Sequence, residues 1–131
     1  MRAILTILLS LFLCSCIELT SITTDKSQEG IIEFFVKKEG LVFKTERAVS
    51  WLEVYTDSNN ERKILWSIVS NKEAPKTGTY NLPKPKSIVY GVVPDGYVEK
   101  IAARALDANI EYRIMVSGPG YGASGSFLVE K

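Results

Sequence analysis

The sequence predicts an all-β protein: a single antiparallel β-sandwich of about seven strands, preceded by an N-terminal signal segment. Three observations carry that expectation. Short β-branched and aromatic runs recur between clusters of turn-forming residues. Ile110 to Ser117 alternates strictly, with Ile110, Tyr112, Ile114 and Val116 on one face and Glu111, Arg113, Met115 and Ser117 on the other. A chain of 131 residues has room for one hydrophobic core and none for a second.

The first element is apolar. Arg2 supplies a positive start, and Ala3 to Leu13 is apolar over a length that suits a secretory signal and is too short to span a bilayer. Leu13-Cys14-Ser15-Cys16 closes the run and resembles the lipobox of bacterial lipoproteins, with Leu at −3, a small residue at −1 and Cys at +1. The resemblance implies diacylglyceryl transfer to the Cys16 sulfur, cleavage after Ser15 and acylation of the new amino terminus. Cys14 fits less well, because bulky Leu13 occupies its −1 position. The plainer alternative is an ordinary signal peptide with two incidental cysteines. Stable anchoring needs more than one acyl chain, which the lipoprotein modification provides. The expected address is therefore the bacterial cell envelope, with a membrane held through the lipid on Cys16. Ile17, rather than Asp, behind the cysteine resembles lipoproteins sent to the outer membrane of a Gram-negative host.

The expected division is a signal peptide over 1–15, a lipidated tether over 16–29 and the sandwich over 30–131. Ile17 to Glu29 is polar and without periodicity, hence the tether. Gly30 to Val36 reads as a strand ending at Lys37-Lys38-Glu39-Gly40, and Leu41 to Thr45 as a short second one. Val49 to Thr56 follows, stopped by the turn cluster Asp57-Ser58-Asn59-Asn60. In the next strand Ile64, Trp66 and Ile68 share one face, Leu65 and Val69 the other. Ser70 to Lys86 carries Pro75, Pro83 and Pro85 and reads as loop or edge. Ser87 to Val93 is a strand ended by Pro94-Asp95-Gly96. Val98 to Leu106 is extended or irregular, or a short helix on its alanine content. After Ile110 to Val116, Gly118 to Gly125 reads as a glycine-rich turn, and Ser126 to Glu130 returns with Phe127 and Val129 inward.

Leu106-Asp107-Ala108-Asn109-Ile110-Glu111-Tyr112 resembles the tyrosine corner of fibronectin type III and related immunoglobulin-like sandwiches. The resemblance implies that the Tyr112 ring packs in the core while its hydroxyl bonds backbone upstream. It also implies a core tryptophan, supplied by Trp51 or Trp66. The proline usual two residues after the leucine is Ala108 here. Such sandwiches host many unrelated functions, so the resemblance carries no activity with it.

Composition narrows the chemistry. The chain has no histidine, which removes the usual general base, the Ser-His-Asp arrangement and the commonest zinc ligand. With Cys14 removed and Cys16 alkylated, neither of the 2 cysteines is left for a disulfide, a thiol nucleophile or a metal. Losing Arg2 with the signal cancels the formal net charge of +1. A neutral chain lacks the basic excess that nucleic acid requires. No cofactor, no metal and no enzymatic activity are expected.

Candidate contact residues are few. Tyr121, set among glycines, is read as an aromatic displayed away from the core; the alternative is a hairpin turn whose glycines supply positive φ. Lys72, Lys76, Lys84 and Lys86 share one loop region and suit lipid headgroups, lipopolysaccharide phosphates or acidic wall polymer, or simply protect a sheet edge. Tyr97, behind Pro94-Asp95-Gly96, either joins that end of the sandwich or packs over its turn. The leading expectation is a membrane-anchored, non-enzymatic binding or structural module with an envelope protein or cell-wall partner. One rival is a periplasmic inhibitor or immunity protein that plugs a secreted enzyme with a protruding loop. The other is a carbohydrate-binding module, which requires an aromatic platform beside paired carboxylates.

Overall fold

The computed structural model describes residues 19–26, 30–39, 44–71 and 82–129. The lipobox with Cys16, the start of the Leu41 run, and Lys72 and Lys76 lie outside the described residues. Within them the chain forms β1 (Leu19–Asp25), β2 (Glu33–Glu39), β3 (Lys44–Glu46), β4 (Trp51–Ser58), β5 (Glu61–Ser70), β6 (Ile88–Val89), β7 (Tyr97–Ile101), β8 (Glu111–Gly118) and β9 (Tyr121–Leu128). Two antiparallel sheets face one another. In the first, β1 lies on one edge of β2 while β3 and β6 pair successive stretches of β2 on the other. The second runs in the order β7-β5-β4-β8-β9. The fold is the all-β sandwich that the sequence predicts.

Inward positions follow the two-residue period. The first sheet sends in Phe34, Val36 and Ile88; the second sends in Leu52, Val54, Trp66, Ile68, Tyr112, Ile114, Val116 and Phe127. Phe127 ties the layers together, with ring centroids 5.3 Å from Phe34 and 5.8 Å from Tyr112. Trp66 is the core tryptophan; it is fully buried and its indole N–H donates to Glu99 Oε2 at 2.8 Å. Trp51 is only half-buried.

Four sequence expectations need correction. Part of the supposed tether is a strand: β1 pairs with the whole of β2, from Leu19↔Glu39 to Asp25↔Glu33. Thr20 to Thr24 is polar enough to resemble linker, but an edge strand at a sandwich corner needs few buried residues, and among its described side chains Ile22 is the one that packs on the core. Ile64 does not share a face with Trp66, because a β-bulge opposite Val54 and Tyr55 absorbs Leu65 as an extra residue and reverses the alternation. Leu65 is buried in its place. The strand expected over Ser87 to Val93 shrinks to Ile88–Val89 before a turn at Tyr90. The glycine-rich turn contracts to Pro119-Gly120, with Gly120 at φ +74, and β9 begins at Tyr121 itself. Of the readings held open for Val98 to Leu106, the structure takes the extended one as far as Ile101 and is irregular beyond.

Candidate functional site

Among the described residues, a concentration of charge beside a concavity lies at the end of the sandwich where β1 begins. The connection from β3 to β4, residues 47–50, crosses that end and is held there on every side. Its backbone N–H groups donate from Arg47 to Val36 O at 3.2 Å, from Val49 to Pro83 O at 3.2 Å and from Ser50 to Ser117 O at 2.8 Å. Two tyrosines secure its carbonyls: Tyr121 Oη donates to Ala48 O, and Tyr97 Oη to Val49 O, each at 2.6 Å. Gly118 permits this approach, because a Cβ there would overlap both the Ala48 carbonyl and the Tyr121 ring.

Over this floor lies an open cleft of about 330 Å³ lined by Lys38, Glu46, Arg47, Ala48, Lys84, Pro119 and Tyr121. Among the described residues that line it, Lys38, Arg47 and Lys84 are cationic and Glu46 is a carboxylate, and Lys38 and Arg47 each hold further interactions of their own. The Arg47 guanidinium stacks on the Tyr121 ring at 4.4 Å from its centroid, so its position is fixed by the same residue that fixes Ala48. Burial pushes the Tyr121 hydroxyl up to about 12, although Arg47 pulls the other way. Burial, with Tyr121 nearby, pushes Tyr97 higher still. Both hydroxyls are therefore neutral hydrogen-bond donors at physiological pH. What the described lining offers a ligand is a set of cationic groups, one of them held by stacking on Tyr121, which suits an anion such as a phosphate or carboxylate.

The sequence-predicted residues fall unevenly around it. Tyr121 and Lys84 meet in the cleft, a juxtaposition that their separation in sequence hides. Tyr121 is not displayed away from the core; it is half-buried and packs on it. The protruding loop required by the inhibitor reading is here a two-residue turn. Tyr97 is buried and serves the floor rather than the surface. Lys86 is exposed but does not line the cleft. Sequence reasoning missed Lys38, Glu46 and Arg47. The pairing of β2 with β3, Lys37↔Glu46 and Lys38↔Thr45, gathers them, and only the charged run closing β2 hinted at it.

A second, shallower concavity of about 270 Å³ lies toward the opposite end, lined by Tyr55, Glu111, Arg113, Ser124, Gly125 and Ser126. Tyr55 does not present a bare aromatic platform for a sugar, because the Arg62 guanidinium sits over its ring at 4.1 Å. Glu53 beside it is the buried carboxylate of the described residues, with Arg62 Nη1 at 3.5 Å from its Oε1. Among the described residues no group of His, Cys, Asp and Glu is arranged to hold a metal ion. No family model matches the chain, and no curated protein or solved structure matches it.

Proposed function

We propose that this chain is a lipid-anchored lipoprotein of the bacterial cell envelope, and that its folded part is a non-enzymatic binding or structural module of the fibronectin type III kind. The observation that carries the anchor is Leu13-Cys14-Ser15-Cys16 at the end of an apolar run, a few residues before the first strand. Two features support the module. The Asp107 N–H donates to Tyr112 Oη at 2.7 Å, which is the bond that a tyrosine corner requires. The β4–β5 and β8–β9 hairpins lie side by side through β4 and β8, as Greek-key connections arrange them. A non-enzymatic role fits a chain with no histidine and a candidate cleft built from cations and hydrogen-bonded tyrosines.

Expression of the wild type and of Cys16→Ser in a bacterial host tests the reading. Wild type is expected in the membrane fraction with the mass of a diacylglyceryl-modified Cys16 chain beginning at residue 16. Cys16→Ser is expected to lose the lipid and either leave the membrane or retain its signal. An unmodified Cys16 in the native protein would refute the proposal.

A further inference from the structure

We infer that the Lys38–Arg47–Lys84 end of the sandwich is a membrane-contact surface that rests on the phosphates of anionic lipid headgroups, in the bilayer that holds the chain. The inference builds on the anchored reading above and adds an orientation and a ligand chemistry to it.

The strand register supplies the geometry. β1 begins at Leu19, and the next residue, Thr20, pairs with Lys38 of the cleft. β1 also lies along β9 in the same direction. Ile22 packs beside Gly125, within 3.6 Å of where a side chain there would start, and Lys26 Nζ donates to Leu128 O. The start of β1 therefore shares its end of the sandwich with the start of β9, where Pro119 and Tyr121 line the cleft. The chain enters the domain beside the cleft and runs away from it.

Length makes this placement consequential. A free tether over 16–29 would have an r.m.s. span of roughly 20 Å, leaving orientation unconstrained. Because β1 is part of the sheet, only two residues, Ile17 and Glu18, separate Cys16 from Leu19, and the three Cα–Cα steps between them reach at most about 10 Å. The field of an anionic membrane decays over a Debye length, about 8 Å at physiological ionic strength. The anchor thus holds the cleft end within reach of that field. Among the described residues the cleft is lined by three cations and the one carboxylate Glu46, and exposed Lys86 lies two residues beyond Lys84. The β4–β5 turn at Asn59-Asn60 lies at the opposite end, past Tyr55↔Arg113.

Lysine reactivity on the full-length, membrane-extracted protein tests this. The protein is reconstituted into vesicles of phosphatidylcholine alone or mixed with phosphatidylglycerol, acetylated briefly and read by peptide mass spectrometry. Lys84 is expected to react about fivefold more slowly in the anionic vesicles, while exposed Lys63, near the β4–β5 turn, reacts equally in both. Lys38→Gln is expected to shrink the protection of Lys84. Soluble glycerol phosphate at the same phosphate concentration is expected not to reproduce it. Equal reactivity of Lys84 in the two vesicles, protection of Lys63 instead, or equal protection by the soluble phosphate would overturn the inference. Intact mass of the same sample separates the two failures. A lipidated Cys16 with unprotected Lys84 refutes the contact surface alone, whereas an unmodified Cys16 refutes the anchored reading and the contact surface with it.

Discussion

Tyrosine hydroxyls hold the irregular parts of this domain to its sheets. Tyr97 and Tyr121 grip consecutive carbonyls of the β3–β4 connection. Tyr90 Oη donates to Arg104 O at 2.6 Å, and Tyr112 Oη accepts from Asp107 N–H, so the long 102–110 connection is held twice. Among these, only Tyr112 was legible in the sequence, because a local six-residue pattern identifies it. The partners of Tyr97 and Tyr121 lie 48 and 73 residues away, and no local pattern encodes them. The same rings set a pH limit. Burial raises Tyr90 and Tyr121 from the ordinary value of 10.0 to about 12, and Tyr97 further. The unfolded chain gives up these protons first. Their contribution is therefore complete below pH 10 and is lost as pH rises through about 12. Urea midpoints are expected to hold steady to about pH 10 and then fall, with the share of tyrosinate absorbance that belongs to Tyr90, Tyr97 and Tyr121 appearing together with unfolding. Tyrosinate absorbance that rises fully near pH 10 in a domain still folded would contradict the hydroxyl contacts.

The strands with the strongest alternation were the easiest to read. β8 was legible because Tyr112, Ile114 and Val116 all face the core; of β9 only the end around Phe127 was, because the glycines and serine of its first five residues, Tyr121 to Gly125, resemble a turn. β5 was misread in part because a bulge breaks the period at Leu65, and a bulge leaves no mark in composition. β1 was missed because its polar residues resemble linker, and its strand character depends on β2 and β9. The β4–β5 turn was visible as Asn59-Asn60, whose φ angles of 54° and 64° are those asparagine tolerates in a type I′ hairpin. The β8–β9 hairpin depends on a closer fit. Gly118→Ala forces the Tyr121 ring and the Ala48 carbonyl apart, so it is expected to lower stability by about 1–3 kcal/mol with an unchanged urea m-value. Gly122→Ala, whose new Cβ would come only within 4.0 Å of Val116 O, is expected to stay within about 0.5 kcal/mol of wild type. Equal stability of the two variants would show that Tyr121 is not wedged against Gly118.

At the scale of the molecule, the sandwich has two unlike ends. One gathers the start of β1, the cationic cleft and the β8–β9 turn; the other carries the β4–β5 turn and the shallow concavity beside Arg113. Under the proposed lipidation of Cys16, with only Ile17 and Glu18 before Leu19, the first end would face the bilayer and the second would face away from it. The eight residues of β4 set the two ends about 25 Å apart. The most direct test is height above the membrane. If processing removes Cys14 and places lipid on the Cys16 sulfur, as proposed, a cysteine introduced at Glu46 or Asn60 is the only free thiol and takes a single fluorophore. Energy transfer to acceptor lipids in phosphatidylglycerol-containing vesicles then reports each position. Strong transfer from residue 46 and much weaker transfer from residue 60, at a separation near the length of β4, is the expected result; equal transfer from the two positions, or a closer residue 60, would contradict it.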